Sequence, residues 1–443
     1  MLRRDNKVSS SPGFAHPLLL LVIVVVIAAA GFAGWRVYKN SGSSLPNVSS
    51  TGVKVTYDKQ ASQQLTNGKC TGAGAVSIGP PMPVDQTSFI LPYGVVVGGH
   101  VTPIDHQYYN GLDPHALRDT YDVIAPANGT IVDIEHRGTK TDTPPHTVDI
   151  PSSDEYRIVM AHTCSFLTYV DLVTSLDNNV KSKLPAGWQP NGGSSGVDVP
   201  ITKGEVIGHI GGQTLDFAVW DLSKPLNFVN PADYTAENWK QFTAPTSDYL
   251  DPVVKSAVTA KYVRTAAPID GQVAYDIDGK LIGNWFLAGS GGYHASSNTA
   301  TNYWAGHLSI APDAIDPSVY IASIGNYSSY TTASASQQDT DSSGAIQLLI
   351  KSTTPDPATV GVSTGPVKYE LVQKNYILPN GQLWDSSELQ LGIKVMAPPV
   401  NDQIVATVMA QVTTTRTLKF EAFPGKTAAQ VTTFDTSAKT YTR

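Results

Sequence analysis

The residues best suited to chemistry crowd into one short stretch, GGHVTPIDHQYY (98–109), which holds two histidines, an aspartate and two tyrosines. Imidazole and carboxylate groups this close in sequence could hold a divalent ion or move a proton. Two readings of the stretch stand side by side. In one, His100, Asp105 and His106 line a polar pocket or metal site at the mouth of a sheet. In the other, Asp105 and His106 bond to backbone groups of a bent loop whose tyrosines pack over the core. A second stretch, GEVIGHIGGQTLDFAVWD (204–221), reads as a strand, a glycine turn and another strand. Thr214 and Asp216 occupy alternate positions there and so share one face, because strand side chains repeat with period two.

The elements that must position these residues are short strands. YDVIAPANGTIVDIE (121–135) alternates apolar residues around Pro126 and Asn128-Gly129, which predicts a strand, a turn and a strand. YRIVMAH (156–162) and FLTYVDL (166–172) are further apolar strands, and 181–200 is a Gly/Ser/Pro-rich excursion. Strands at this spacing without a helical period predict an antiparallel sheet or sandwich. A more polar crossing leads to a second β unit from about Tyr262. There, GQVAYDIDGKLIGNWFL (271–287) carries Asp278-Gly279 between two alternating runs, a type I′ hairpin signal. Later strands are expected at 346–351, 367–373, 404–411 and 418–423, in a barrel or sandwich with Trp285, Phe286 and Phe420 inward. His294, Tyr303, Trp304 and His307 flank a glycine-rich loop, either as a ligand lip or as aromatics buried beneath it.

Three pieces in order carry a resemblance. VIAPANGTIV (123–132), YRIVMAH followed by FLTYVDL, and KGEVIGHIGG followed by TLDFAV are similar to successive motifs of the lysostaphin-type (LytM-like) zinc peptidoglycan endopeptidases. The similarity covers about 98–221. It implies a two-sheet β fold built on a duplicated hybrid motif. In that family zinc is held by the His and Asp of an H-x-x-x-D motif and by the second His of H-x-H. Two further histidines, from Y-x-H-L and the first position of H-x-H, assist the attacking water.

Carried onto this sequence, the resemblance puts Asp171 at the histidine of Y-x-H-L, Thr214 at the first His of H-x-H and Asp216 at the second. The upstream motif corresponds to His100…Asp105-His106, with one residue too many, followed by an insertion at 107–120. His100 or His106 with Asp105 and Asp216 could still hold zinc or another divalent ion, although two carboxylates favour harder metals. Thr214 does not titrate near neutrality and Asp171 would be ionised, so the general base and the oxyanion donor are missing. No catalytic residue is assigned and no cofactor is expected. The implied protein is a cell-envelope binding or scaffolding module with a catalytically degenerate endopeptidase-like domain, its partners cell-wall polymer or an envelope protein. The alternative is a metal-dependent cell-wall hydrolase with an altered site. A lipoyl or biotinyl hammerhead shares part of the turn pattern, but Lys140 in polar RGTKTD does not fit a modified lysine.

The whole chain sets the frame. Its 443 residues suit two folded units and a tail. Charged residues make up 15% with a net charge of −7 and no basic stripe, which argues against nucleic acid as a partner. PLLLLVIVVVIAAAGFAGW (17–35) is uncharged and long enough to span the ~30 Å hydrocarbon core, with Arg3, Arg4 and Lys7 before it. It reads as an anchor or as a cleaved signal peptide. The resulting partition is a cytoplasmic tail at 1–16, a transmembrane helix at 17–38, a flexible linker at 39–60, the endopeptidase-like domain at 61–249 and a second β domain at 262–443. That makes a single-pass membrane protein with its bulk outside the cytoplasm. Cys70 and Cys164 either pair or remain buried thiols. His115, His136 and His146 are expected in solvated turns, and His162 either in the core or lining the site.

Overall fold

Strand β10 (Leu215–Asp221, LDFAVWD) is buried along its whole length. Its odd residues Leu215, Phe217 and Val219 enter one core, while Ala218 and Trp220 enter another on the opposite face. The computed structural model describes residues 55–140, 153–188, 193–293, 303–330, 344–397 and 403–443, and Val55–Arg443 pack as one unit.

The large sheet runs β1 (Thr87–Leu91), β2 (Gln107–Gly111), β10, β6 (Phe166–Val173), β5 (Ser153–Thr163), β4 (Gly129–Lys140) and β8 (Gly193–Ile201), with β11 (Thr243–Ala244) on the far end of β10. A second sheet joins β3 (Tyr121–Ile124), β9 (Val206–Ile210) and β7 (Ser175–Leu176). Apolar residues of both sheets meet in the larger core. The TIV strand therefore does not fold back on YDVI as a hairpin. β3 pairs with β9 and β4 pairs with β5 and β8, so the chain crosses between sheets at Pro126.

Two segments read as irregular are strands. The excursion at 181–200 contains β8, which lies at the sheet edge, where Pro200 costs no ladder donor. The insertion at 107–120 begins with β2, inserted between β1 and β10.

The second unit is a closed barrel of β12 (Gly283–Leu287), β13 (His307–Pro312), β14 (Tyr320–Ile324), β15 (Ile346–Ile350), β16 (Val367–Val372), β19 (Ala406–Thr414), β20 (Thr417–Pro424) and β21 (Lys439–Thr442). A small ribbon of β17 (Asn375–Ile377) and β18 (Lys394–Met396) stands apart from it. Trp285 and Phe420 fill the barrel as expected, but Phe286, one residue on, points outward into the core shared with the large sheet. The Asp278-Gly279 hairpin is corrected. The turn exists, closed by Lys280 N–H donating to Ile277 O, but no strand precedes it. The guanidinium of Arg443 donates to the carbonyls of Ile277, Lys280 and Ile282, taking acceptors that a ladder would have used.

The expectation of a single-pass membrane protein does not stand. Among the described residues no helix is long and apolar enough to cross a membrane. The segment 17–35 itself lies outside the described residues. Cys70 and Cys164 are joined in a disulfide, Cα to Cα 5.0 Å, which ties the segment after helix α1 (Lys59–Leu65) to the β5–β6 turn.

Candidate functional site

On the face of the large sheet that also carries Ala218 and Trp220, Asp216 of β10 stands in register with Asp171 of β6 on one side and Tyr108 of β2 on the other. Directly opposed residues of an antiparallel pair project to the same face, so these three side chains share one patch. The loop that delivers β2 brings Asp105 and His106 to the same place. His106 Nε2 lies 3.2 Å from Asp216 Oδ2, and His106 Nδ1 lies 3.6 Å from Asp105 Oδ1. The ring also meets Tyr108 edge-on at 5.1 Å. Thus the sequence-predicted residues Asp105, His106, Asp171 and Asp216 converge. His100 makes an edge contact with the His106 ring, 5.8 Å between centroids. Thr214 sits just before β10 begins and is half-buried.

The roof over this patch was not legible in the sequence. Residues Pro231–Phe242 form 3-10 turns interrupted at Glu237, whose φ and ψ leave the helical region. Past that break, Trp239 Nε1 donates to Asp105 Oδ2 at 3.0 Å and Lys240 Nζ donates to Asp105 Oδ1 at 2.6 Å. Lys240 also meets Glu237 Oε2 at 3.1 Å and lies 4.6 Å over the Tyr293 ring. The Arg157 guanidinium is stacked between Tyr169, at 4.5 Å, and Trp239, at 4.6 Å. A lysine among aromatics in the run NWKQF is the only sequence sign that a buried cation awaited an anion.

Asp105, His106, Asp171, Asp216 and Lys240 are all between 2% and 8% exposed. Burial opposes ionisation of Asp105, yet the Lys240 ammonium and His106 outweigh it and hold the carboxyl far below its usual range. Burial likewise disfavours charged His106, but Asp216 first and then Asp105 raise its pKa above the ordinary value. Lys240 is raised well above its usual range despite burial, chiefly by Asp105. Burial and then the Asp216 charge push the Tyr108 phenol up, so it stays protonated. The patch is a chain of alternating acidic and basic groups, Glu237–Lys240–Asp105–His106–Asp216, buried except at its Glu237 end.

The second unit contributes to the closure. Gln347 holds the backbone of Gly98 from both sides, accepting from its N–H at 3.1 Å and donating to its carbonyl at 3.0 Å. A Cβ on Gly99 would come within 3.0 Å of the Trp304 ring. His307 is buried and bonds Tyr293 O at 2.7 Å, so among the described residues it is a core histidine and not part of a lip. His294 lies outside the described residues.

A metal needs lone pairs that point into a shared space. Here both oxygens of Asp105 are engaged by Lys240 and Trp239, and the two nitrogens of His106 lie 3.6 and 3.2 Å from the Asp105 and Asp216 carboxylates without hydrogen-bond geometry. Among the described residues no group of three or more His, Cys, Asp or Glu is arranged to hold a metal ion. The donor set as it stands does not fit zinc.

The other histidines fall elsewhere. His115 is exposed as expected. His136 is buried in β4 against Tyr156, so its expected turn is a strand. His146 lies outside the described residues. His162 spends Nδ1 on Asn128 O at 2.9 Å and Nε2 on Thr168 Oγ1 at 2.8 Å, which makes it a satisfied structural histidine.

No family model matches the chain, and no curated protein matches its sequence. Two crystal structures of Csd3 from Helicobacter pylori, in hexagonal and orthorhombic crystals, are similar to it at 16% and 17% identity, each with a TM-score of 0.21. The matches cover 36% of this chain and 34% and 36% of those chains, so the likeness spans about a third of each protein.

Proposed function

We propose that region 61–249 is a lysostaphin-type endopeptidase-like scaffold whose metal and catalytic positions have been converted to a closed ion-pair cluster. On this reading the protein binds or scaffolds cell-wall polymer, or an envelope protein that carries it, and does not cut the polymer. The observation that carries the reading is the register of Asp216 against Asp171. The two positions where the resemblance implies histidines sit opposite each other on one face, as a shared ancestral site requires. Both carry carboxylates instead. The Asp105 carboxylate of the same patch is bound by Lys240 and so offers no open coordination position. Without an activated water or an available general base, hydrolysis lacks its nucleophile.

The test is cosedimentation of the purified protein with insoluble peptidoglycan, scored alongside release of soluble fragments. Binding without release, unchanged by EDTA, is the expected result. Fragment release that a chelator abolishes would replace this reading with the metal-dependent hydrolase. Failure to sediment would remove the polymer as direct partner.

A further inference from the structure

We infer that Lys240 is the resident cation of this cluster, an internal ammonium that supplies the positive charge a divalent ion would otherwise bring and thereby excludes the ion. The inference deepens the preceding reading and rests on it only for the identification of the scaffold. Lys240 is buried, and Glu237 and Asp105 both converge on its Nζ, at 3.1 and 2.6 Å. His106 Nδ1 approaches the same Asp105 oxygen that Lys240 holds, and its Nε2 leads on to Asp216.

The consequence is chemical. Two carboxylates and an imidazole already lie within contact distance in a dry site. Two further carboxylates border the cluster, Asp171 opposite Asp216 and Glu237 beside Lys240, and the Arg157 guanidinium offsets part of the charge of Asp171 and Asp105. An Asp/His/Asp set is an acceptable zinc ligand group once one position is vacated. The ammonium blocks it twice over, by occupying space against Asp105 Oδ1 and by electrostatic repulsion of a second cation, which in a buried site is felt far more strongly than in water. The 3-10 turns that carry Lys240 are therefore held to the sheet by a charge that needs no ion.

The test is metal binding by single variants of the full chain, read as zinc and manganese content after gel filtration and as the metal-induced shift in melting temperature. Wild type is expected to retain no ion and to show no shift. Lys240→Ala should retain about one ion per chain and melt several degrees higher with metal than without. Lys240→Arg, which keeps the charge, should behave as wild type, and Lys240→Ala/His106→Ala should lose the gain. Stoichiometric metal in wild type, or metal in Lys240→Arg at the level of Lys240→Ala, overturns the inference. So does a folded Lys240→Ala that takes up no ion. Should Lys240→Ala fail to fold alone, refolding with zinc or manganese must restore it, and failure to do so also overturns the inference. Polymer cosedimentation of wild type is scored separately, so the binding function can fail while this result stands.

Discussion

Asp216 stands directly opposite Asp171 across the β10–β6 ladder, two carboxylates facing one another on the buried face of a central sheet. Like charges in this relation are destabilising, and the surrounding groups explain why the pair survives. His106 sits 3.2 Å from Asp216 on one side. Asp171 turns back on its own chain, accepting from Leu172 N–H at 2.8 Å, where Leu172 takes a φ of +64°. Gln213 fixes that bend by donating to Leu172 O at 2.7 Å. Asp171→Asn keeps the acceptor and removes the repulsion. Urea unfolding should therefore find it within ~1 kcal/mol of wild type, with either sign small. A loss of several kcal/mol would mean that the charge of Asp171 is required.

The Asp105–Lys240 pair should respond very differently. Lys240→Met leaves Asp105 charged, buried and without its principal partner, and truncating one side of a buried pair costs ~3–5 kcal/mol. Asp105→Asn leaves Lys240 with Glu237 as its remaining anion, so its cost should be the smaller of the two. The double variant removes both charges, so its loss should be clearly smaller than the sum of the two. A double-mutant cycle in urea measures that coupling, and strict additivity would show that the 2.6 Å contact carries no net energy.

Two histidines should titrate on opposite sides of the ordinary value of ~6.5, which resonances of the imidazole C–H protons report directly. His106 is raised, so its contribution to stability is complete below ~6.5 and is lost as pH climbs through its folded pKa. His162 is pushed down to about 4 by burial, against the bond from its ring to Asn128 O. Its contribution is present above ~6.5 and fades as pH falls toward that folded value. Finding both histidines near ~6.5 would contradict the burial of one and the ion pairs of the other.

What the sequence disclosed follows from which interactions are local. The apolar runs in FLTYVDL and LDFAVWD are a property of a few consecutive residues, and both segments are strands. Period two alone places Asp216 on the face opposite Phe217. The partners of that face are long-range and left no pattern. Lys240 lies 135 residues from Asp105 in sequence, and a single buried lysine has no spacing to betray it. The same limit explains Asp278-Gly279. The turn was readable, but the carbonyls around it are claimed by Arg443, at the far end of the barrel sequence. Strand β2 was hidden because QYYNG is short, polar at both ends and meaningful only beside β10.

The disulfide offers a prediction independent of the site. Cys70 and Cys164 are separated by 94 residues in sequence, and a cross-link closing so long a loop restrains the unfolded chain strongly. Cys70→Ser/Cys164→Ser should lose ~2–5 kcal/mol in urea unfolding. Wild type treated with reductant should lose a comparable amount. Mass spectrometry with a thiol-alkylating reagent should find no reactive cysteine before reduction, and a labelled native protein would contradict the bond.

Placing histidines where the proposed resemblance implies them tests the scaffold and the lysine together. Asp171 and Asp216 are in register, so histidines there would converge from neighbouring strands, and a histidine at 214 would join from the same face by period two. Thr214 lies just outside β10, however, and is held less firmly than its strand neighbours. Lys240 would still hold Asp105 and repel an incoming ion. The triple variant Asp171→His/Thr214→His/Asp216→His is therefore expected to bind zinc poorly, and the addition of Lys240→Ala to raise its affinity by ~10-fold or more, about 1.4 kcal/mol. Hydrolysis should remain slight in both, because on the proposed reading His100 and Asp105 stand one residue further apart than the resemblance requires, and a misplacement near ~1 Å can cost ~10²-fold in rate. Isothermal titration with zinc distinguishes the two variants. Equal affinity in both would show that Lys240 exerts no hold on the site, and no affinity in either would show that positions 171, 214 and 216 do not share a cleft.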